Sequence, residues 1–268
     1  MSQRQYASIP LGVLFGLGLL CNTPPAHATW SIATHNPRTG TLAVGAASCS
    51  NMVFGIQSVE PGKGVVIVQA KSNGPMRGKG MEMLKQGASL DRILQTLTDA
   101  ASGFSPDEQQ LALLSTTDPH PRTFTGAAVP DDKGSWTGTH RSVQVNTMAS
   151  PSVLPDTVAA LGEDDWKDDL AMAAAVLQAL EAGGRAGGDR RCGKASSATA
   201  FISMYRKSDP KGDPWMQLSI HGIAPGTDSA LPHLRVLFER WLATGTGAAS
   251  TSVFIVPGRI GKIGENTD

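Results

Sequence analysis

Residues 41–48, Thr-Leu-Ala-Val-Gly-Ala-Ala-Ser, constrain the fold more than any other stretch of this chain. Between Thr41 and Ser48 every side chain is small or apolar. A strand of that kind has no wet face, so it belongs in a sheet covered on both sides. Thr29–Ala33 reads as its hairpin partner across the turn cluster Asn36-Pro37-Arg38-Thr39-Gly40. A second turn over 59–64 feeds "VVIVQA", a short β-branched strand.

Helical patterning follows. Gly80–Gln86 carries Met81, Met83 and Leu84, and Ser89 caps a segment with Leu90, Ile93, Leu94 and Leu97 at helical spacing. Strand signals return at 111–116, 123–129 and 141–148, with a polar turn at 131–134. Then come helices at 152–161 and 168–182, strands at 197–205 and 215–221, and a helix at 231–242. Sheet, paired helices, sheet and paired helices predict an α+β fold in which two sheets lie between helical layers. A two-layer α+β fold competes, because spacing does not fix layering. The Gly/Ala/Ser/Thr-rich stretch from 245 onward is expected to be partly ordered.

The N-terminus reads as a leader. Arg4 precedes an apolar run from Ile9 to Leu20, long enough for a secretory signal and too short to span a bilayer. Ala26-His27-Ala28 gives the small-x-small pattern of a cleavage site, placing the cut before Thr29. An uncleaved anchor is the rival reading. Cys21 follows Leu20 rather than a small residue, which disfavours a lipoprotein. Without Arg4 the mature chain holds 22 basic and 23 acidic residues. No basic stripe is left for nucleic acid or an anionic membrane surface, and stable membrane association after cleavage is not expected. Sequence leaves a homo-oligomer open.

Two cysteines survive cleavage, Cys49 and Cys192. An even pair in an exported protein reads first as a disulfide, with two free thiols or a catalytic cysteine as rivals. The mature histidines (His35, His120, His140, His221, His233) show no metal-ligand spacing, and no GxGxxG or P-loop occurs, so no cofactor or metal is expected.

Thr29 acquires chemical interest from where the cut falls. A threonine hydroxyl is a weak nucleophile that needs a base, and a free α-amine with pKa about 7.7–8.0 supplies one. One further residue on the N-terminal side would turn that amine into an amide. The segments "TWSIATHNPRTGTLAVGAASCS", "PGKGVVIVQAKSNGPMRGKGMEML", "RSVQVNTMAS" and "EAGGRAGGDRRCGKASSATAFI", in that order over 29–206, resemble the family called domain of unknown function 1028. The resemblance implies the N-terminal-nucleophile hydrolase superfamily, its four-layer αββα sandwich, and hydrolysis of a small-molecule or peptide amide through an acyl-enzyme on Thr29. It also places both cysteines inside matching segments, as in an exported branch, which supports the Cys49–Cys192 disulfide.

Further roles rest on the residues themselves. Ser48 ends the second strand and is placed to bond the Thr29 amine, or else backbone at a strand end. Asn73, after a buried strand, is a candidate oxyanion donor or a turn former before Gly74. Gln144 and Asn146 alternate on one strand and share a face, which suits oxyanion or substrate contacts, or a buried polar ladder. Asp189, after a double glycine, is a candidate to orient the ammonium or hold a substrate amine, and Arg190 to clamp a carboxylate. A surface salt bridge is the alternative for that pair. Val145 replaces the glycine usual in the family's Gln-Gly-Asn, the loop after Cys192 is short, and Lys71 and Arg77 bring charge near Asn73. These departures bear on substrate preference. The expected protein is an exported amidohydrolase; a non-catalytic periplasmic binding or surface-assembly module is the rival.

Overall fold

The computed structural model describes residues 29–244 and the backbone of 251–254. The segment expected to be a leader (1–28) and most of the expected C-terminal tail lie outside the described residues. β1 (Thr29–Asn36) and β2 (Thr41–Ser48) form the expected hairpin. The chain continues through β3 (Gln57–Glu60), β4 (Gly64–Ala70), α1 (Gly74–Lys85), α2 (Leu90–Thr98), β5 (Gln109–Ser115) and β6 (Arg122–Thr125). Then follow β7 (Gly134–Gly138), β8 (Arg141–Asn146), α3 (Val153–Leu161), α4 (Asp169–Arg185), β9 (Thr199–Tyr205), β10 (Met216–His221), α5 (Ala230–Ala243) and β11 (Thr251–Phe254).

The fold is α+β with two sheets. The larger runs β11-β10-β9-β2-β1-β8-β7, antiparallel except for the parallel β10–β11 pair; the smaller is antiparallel and runs β3-β4-β5-β6. Three apolar cores define the layers. Trp30, Ile32, Ala43 and Val143 on one face of the large sheet pack against Val176 and Leu180 of α4 and Leu234 of α5. Ala33, Val44, Ala46 and Phe201 on its other face meet Val65, Ile67, Ala112 and Leu114 of the small sheet. Val66, Val68, Leu111 and Leu113 then cover Met76, Leu84, Ile93 and Leu97 of α1 and α2. The order is helices, sheet, sheet, helices. β1, β2, β4 and β5 are buried along their whole length, and for β2, whose residues are small or apolar, this is the burial that composition requires.

Small residues set how closely the layers approach. A Cβ at Gly45 would sit 2.6 Å from Val176 Cγ1, so α4 rests directly on the β2 backbone. Farther along α4, a Cβ at Gly183 would lie 2.5 Å from Thr157 Oγ1 and 2.8 Å from Trp30 Nε1. The Trp30 indole fills that space and donates to the Leu180 carbonyl at 3.3 Å.

Several elements differ from their expected bounds for physical reasons. α1 begins at Gly74 rather than Gly80, because Asn73 Oδ1 accepts from Met76 N (2.9 Å) and Pro75 occupies the first turn. Gly74, Gly78 and Gly80 hide that start from periodicity. β3 and β7 were absent from the sequence reading; both are edge strands with partly exposed residues, and turn signals overlie them. β11 adds a strand within the segment read as a tail. Cys49 and Cys192 form the disulfide, closing residues 143 apart in sequence.

Candidate functional site

Thr29 opens β1 with β8 on one side and β2 on the other. Asn146 lies opposite Thr29 and Gln144 opposite Ser31. On the β2 side Trp30 faces Ala47, so one further step places Ser48 beside Thr29. Facing residues of an antiparallel ladder share a face. Ala33, Val44 and Ala46 of this face lie in the core between the sheets. Thr29, Ser31, Ser48, Gln144 and Asn146 therefore also point between the sheets, at the end of the layer where apolar filling stops.

The small sheet answers with carboxamides. Gln69 of β4 and Gln110 of β5 face each other, with Gln69 Nε2 donating to Gln110 Oε1 at 2.8 Å. Gln69 Nε2 also reaches the Thr29 carbonyl at 3.3 Å, and Asn146 Nδ2 reaches the same oxygen at 3.4 Å and Gln110 Oε1 at 3.1 Å. Gln110 Nε2 ties in the Val145 carbonyl (3.1 Å) and Thr125 Oγ1 (2.9 Å). The two sheets are thus riveted by side-chain amides directly beneath the first residue of β1. Polar groups taken out of water need such partners.

Ser31 Oγ lies 2.6 Å from Gln69 Oε1 and 3.1 Å from Gln144 Oε1. One hydroxyl proton serves one acceptor, so turning the Gln144 amide to offer Nε2 to Ser31 satisfies both contacts. Among the described residues, the buried Asn146 Oδ1, Thr147 Oγ1 and Gln109 Oε1 have no hydrogen-bond partner. Nor does any described group hydrogen-bond the Thr29 hydroxyl, although Thr29 is only 3% exposed.

A second cluster adjoins Ser48. Asp189 is fully buried, and its carboxylate accepts from Cys49 N (2.6 Å), Arg191 N (3.0 Å), Arg191 Nε (3.0 Å) and Arg191 Nη2 (2.6 Å). Arg191 Nη2 also lies 3.4 Å from Ser48 Oγ, which in addition accepts from Ser50 N at 3.2 Å.

Of the residues singled out by sequence, Thr29, Ser48, Gln144 and Asn146 come together on one face. Asp189 stands next to them, engaged by Arg191 and the Cys49 amide. Asn73 is placed otherwise: Oδ1 caps α1 and Nδ2 donates to the Phe104 carbonyl at 3.2 Å, so both ends of its amide are held locally. Arg190 turns outward to Asp132 and the Asp131 carbonyl, which is the surface ion pair that competed with the clamp reading. Ser31, Gln69 and Gln110 lie outside the residues that the sequence singles out. The available signal was Gln69, a carboxamide closing an otherwise apolar strand, which needs a buried partner.

An open groove of about 870 Å³ lies elsewhere, bordered by Gln57–Val59, Met81, Lys85 and Tyr205. Tyr205 is at the end of β9 paired with Leu42, whereas Thr199, at the other end, pairs with Ser48.

The family of unknown function DUF1028 matches residues 29–224. Among solved structures, the crystal structure of protein SPO2555 from Silicibacter pomeroyi, described as DUF1028, is similar, with a TM-score of 0.65 at 24% identity. The match covers 82% of this chain and 88% of that one, and at this identity it speaks for the fold alone. No curated protein matches the chain.

Proposed function

The chain belongs to the DUF1028 family, and we propose that it is an exported amidohydrolase of the N-terminal-nucleophile type acting through Thr29. The observation that carries this reading is positional. Thr29 is the first residue of a central strand, its hydroxyl is unengaged among the described residues, and it points between the sheets beside Ser48 and Asn146. Removal of residues 1–28 would free its α-amine. The neutral amine would take the hydroxyl proton as Oγ1 attacks an amide carbonyl, then return it to the departing amine. Water, activated by the same amine, would hydrolyse the resulting ester. Gln69 Nε2 and Asn146 Nδ2 donate to the Thr29 carbonyl and to Gln110 Oε1, and the role we assign to them is to hold the strand end that presents Thr29. The unpartnered Asn146 Oδ1 is the acceptor we assign to the ammonium.

The substrate is a small-molecule or peptide amide, linear or cyclic, and the chemistry calls for no cofactor. The Cys49–Cys192 disulfide fits an oxidising, extracytoplasmic setting. No helix of the described residues is long and apolar enough to cross a membrane. One observation favours the rival binding module: Thr29 is buried while the open groove lies at the opposite end of β9.

Intact mass of the secreted protein, followed by reaction with acylating amide probes, separates the two. A mass starting at Thr29 and probe adducts lost in Thr29→Ala support the hydrolase. A correctly processed protein that no probe acylates leaves the binding module.

A further inference from the structure

The large sheet has seven strands and the small sheet four. β3 is an edge of the small sheet, and Gln57 Nε2 donates to Ser203 Oγ at 3.2 Å, so β3 lies over β9 and no described strand of the small sheet covers β10. We propose that the outer edge of β3 is a docking site for an extended peptide segment of a partner protein, which adds one more strand to the small sheet. The segment carries apolar residues in alternation and an acidic residue beside Lys211.

Backbone direction sets the docking edge. Thr116 N donates to Lys63 O at 2.9 Å and Lys71 N to Glu108 O at 3.3 Å, both on the β5 side of β4. Hydrogen-bonding direction alternates along a strand, so the odd-numbered residues of β4 face β5, and Gly64 and Val66 face β3. Their partners Glu60 and Ser58 spend their backbone groups on β4. Gln57 and Val59 therefore turn N–H and C=O the other way, and no described residue hydrogen-bonds those groups. An edge in that state is a template on which another chain pairs. Gln57 Oε1 is a further acceptor there, buried without a partner, while its Nε2 is spent on Ser203.

Shape and charge name the occupant. The open groove of about 870 Å³ is the empty continuation of the small sheet's layer, with Phe54, Tyr205 and Gln217 on one wall and Gly78 and Met81 of α1 on the other. A strand laid along β3 sends alternate side chains to the two walls, apolar ones to Met81. A second copy of the chain would bring its own walls against these, so the slot suits a lone segment. Of the charged residues lining the groove, Glu82 pairs with Lys79 (3.2 Å) and Lys85 with Glu60 (3.4 Å). Lys211 has no counter-ion among the described residues, and an acidic residue on the segment supplies one. Tyr205 and Thr199 mark opposite ends of β9, so the docking site stands apart from Thr29 and does not rest on its chemistry.

The test begins with random dodecapeptides displayed on phage and selected against the full, oxidised protein; those that bind are then synthesised. Affinities are measured by calorimetry for the wild type, Val59→Pro and Lys211→Glu. Hydrogen exchange of the Gln57 and Val59 backbone amides is followed with and without peptide. Val59→Pro removes an outward N–H and no bond of the β4 ladder, a setting in which an edge strand accepts proline.

The selected peptides are expected to share an acidic residue among alternating apolar ones, and both backbone amides should become protected on binding. Affinity should fall roughly 10-fold in Val59→Pro, the worth of one backbone hydrogen bond left unmade, and about 3-fold in Lys211→Glu, where a rim charge is reversed. Should Val59→Pro fail to fold, exchange protection in the wild type decides the matter by itself. Selection of no peptide, equal affinity for Val59→Pro, or protection confined to other strands overturns the docking site. A concentration-dependent dimer in sedimentation that Val59→Pro abolishes gives the edge to a second copy and overturns the peptide partner.

Discussion

His35 sits near the end of β1, 4% exposed, with its Nδ1 3.4 Å from Nδ1 of His140 and the two rings in edge contact. Burial, then the neighbouring imidazole, lowers its pKa from 6.5 to about 4. The folded state thus binds the proton more weakly than the unfolded chain. Stability from this group is fully present above pH 6.5 and is lost as pH falls toward 4. The full shift corresponds to about 3 kcal/mol, and the share lost between pH 7 and pH 5 is about 2 kcal/mol. His221, whose pKa burial also lowers, adds to the slope in the same direction. Urea unfolding at pH 7 and pH 5 should therefore give a wild-type loss that exceeds that of His35→Gln by about 2 kcal/mol. Comparing the two proteins cancels the contributions of other groups. Equal losses in the two would refute the claim that His35 is held neutral by burial beside His140.

Three further outcomes follow from packing and chain connectivity. Reducing the Cys49–Cys192 bond, or replacing Cys192 by Ser, should lower stability by up to about 5 kcal/mol by chain entropy for this loop, read as a shift in denaturant midpoint with and without reductant. Gly183→Ala should cost about 1–3 kcal/mol, because the new Cβ meets Thr157 Oγ1 and Trp30 Nε1 at 2.5 and 2.8 Å; unchanged thermal unfolding would show that α4 is free to withdraw. Asn73→Ala should cost about 1 kcal/mol as a lost cap and leave the rate of Thr29 acylation unchanged, since its amide is held by Met76 N and the Phe104 carbonyl.

Much of the architecture is legible in local pattern. The 41–48 run has no polar face to show to water, and it duly occupies the middle of a sheet buried on both sides. Ser89 and the 3.6-residue stripe after it mark α2, with the Ser89 hydroxyl accepting from Arg92 N at 3.2 Å. β3 and β7 escaped because an edge strand has one neighbour and needs no continuous apolar run. The start of α1 escaped because its cap is tertiary as well as local: Asn73 also reaches the Phe104 carbonyl across 31 residues.

For the candidate site, sequence alone determined the residue types and the one-face alternation of Gln144 and Asn146, because a strand's period of two is a property of the backbone. It also singled out Thr29 as the first strand residue after the segment expected to be a leader. Only the tertiary structure decided which of two adjacent arginines faces inward. Asp189 follows Gly187 and Gly188, both at positive φ, and the turn they allow, together with the Cys192 tether, sends Arg190 to Asp132 and Arg191 to Asp189 and Ser48. Likewise, Gln69 and Gln110 lie far from Thr29 in sequence. They meet it because two sheets stack, and buried amides at the end of that stack find their hydrogen bonds only across it.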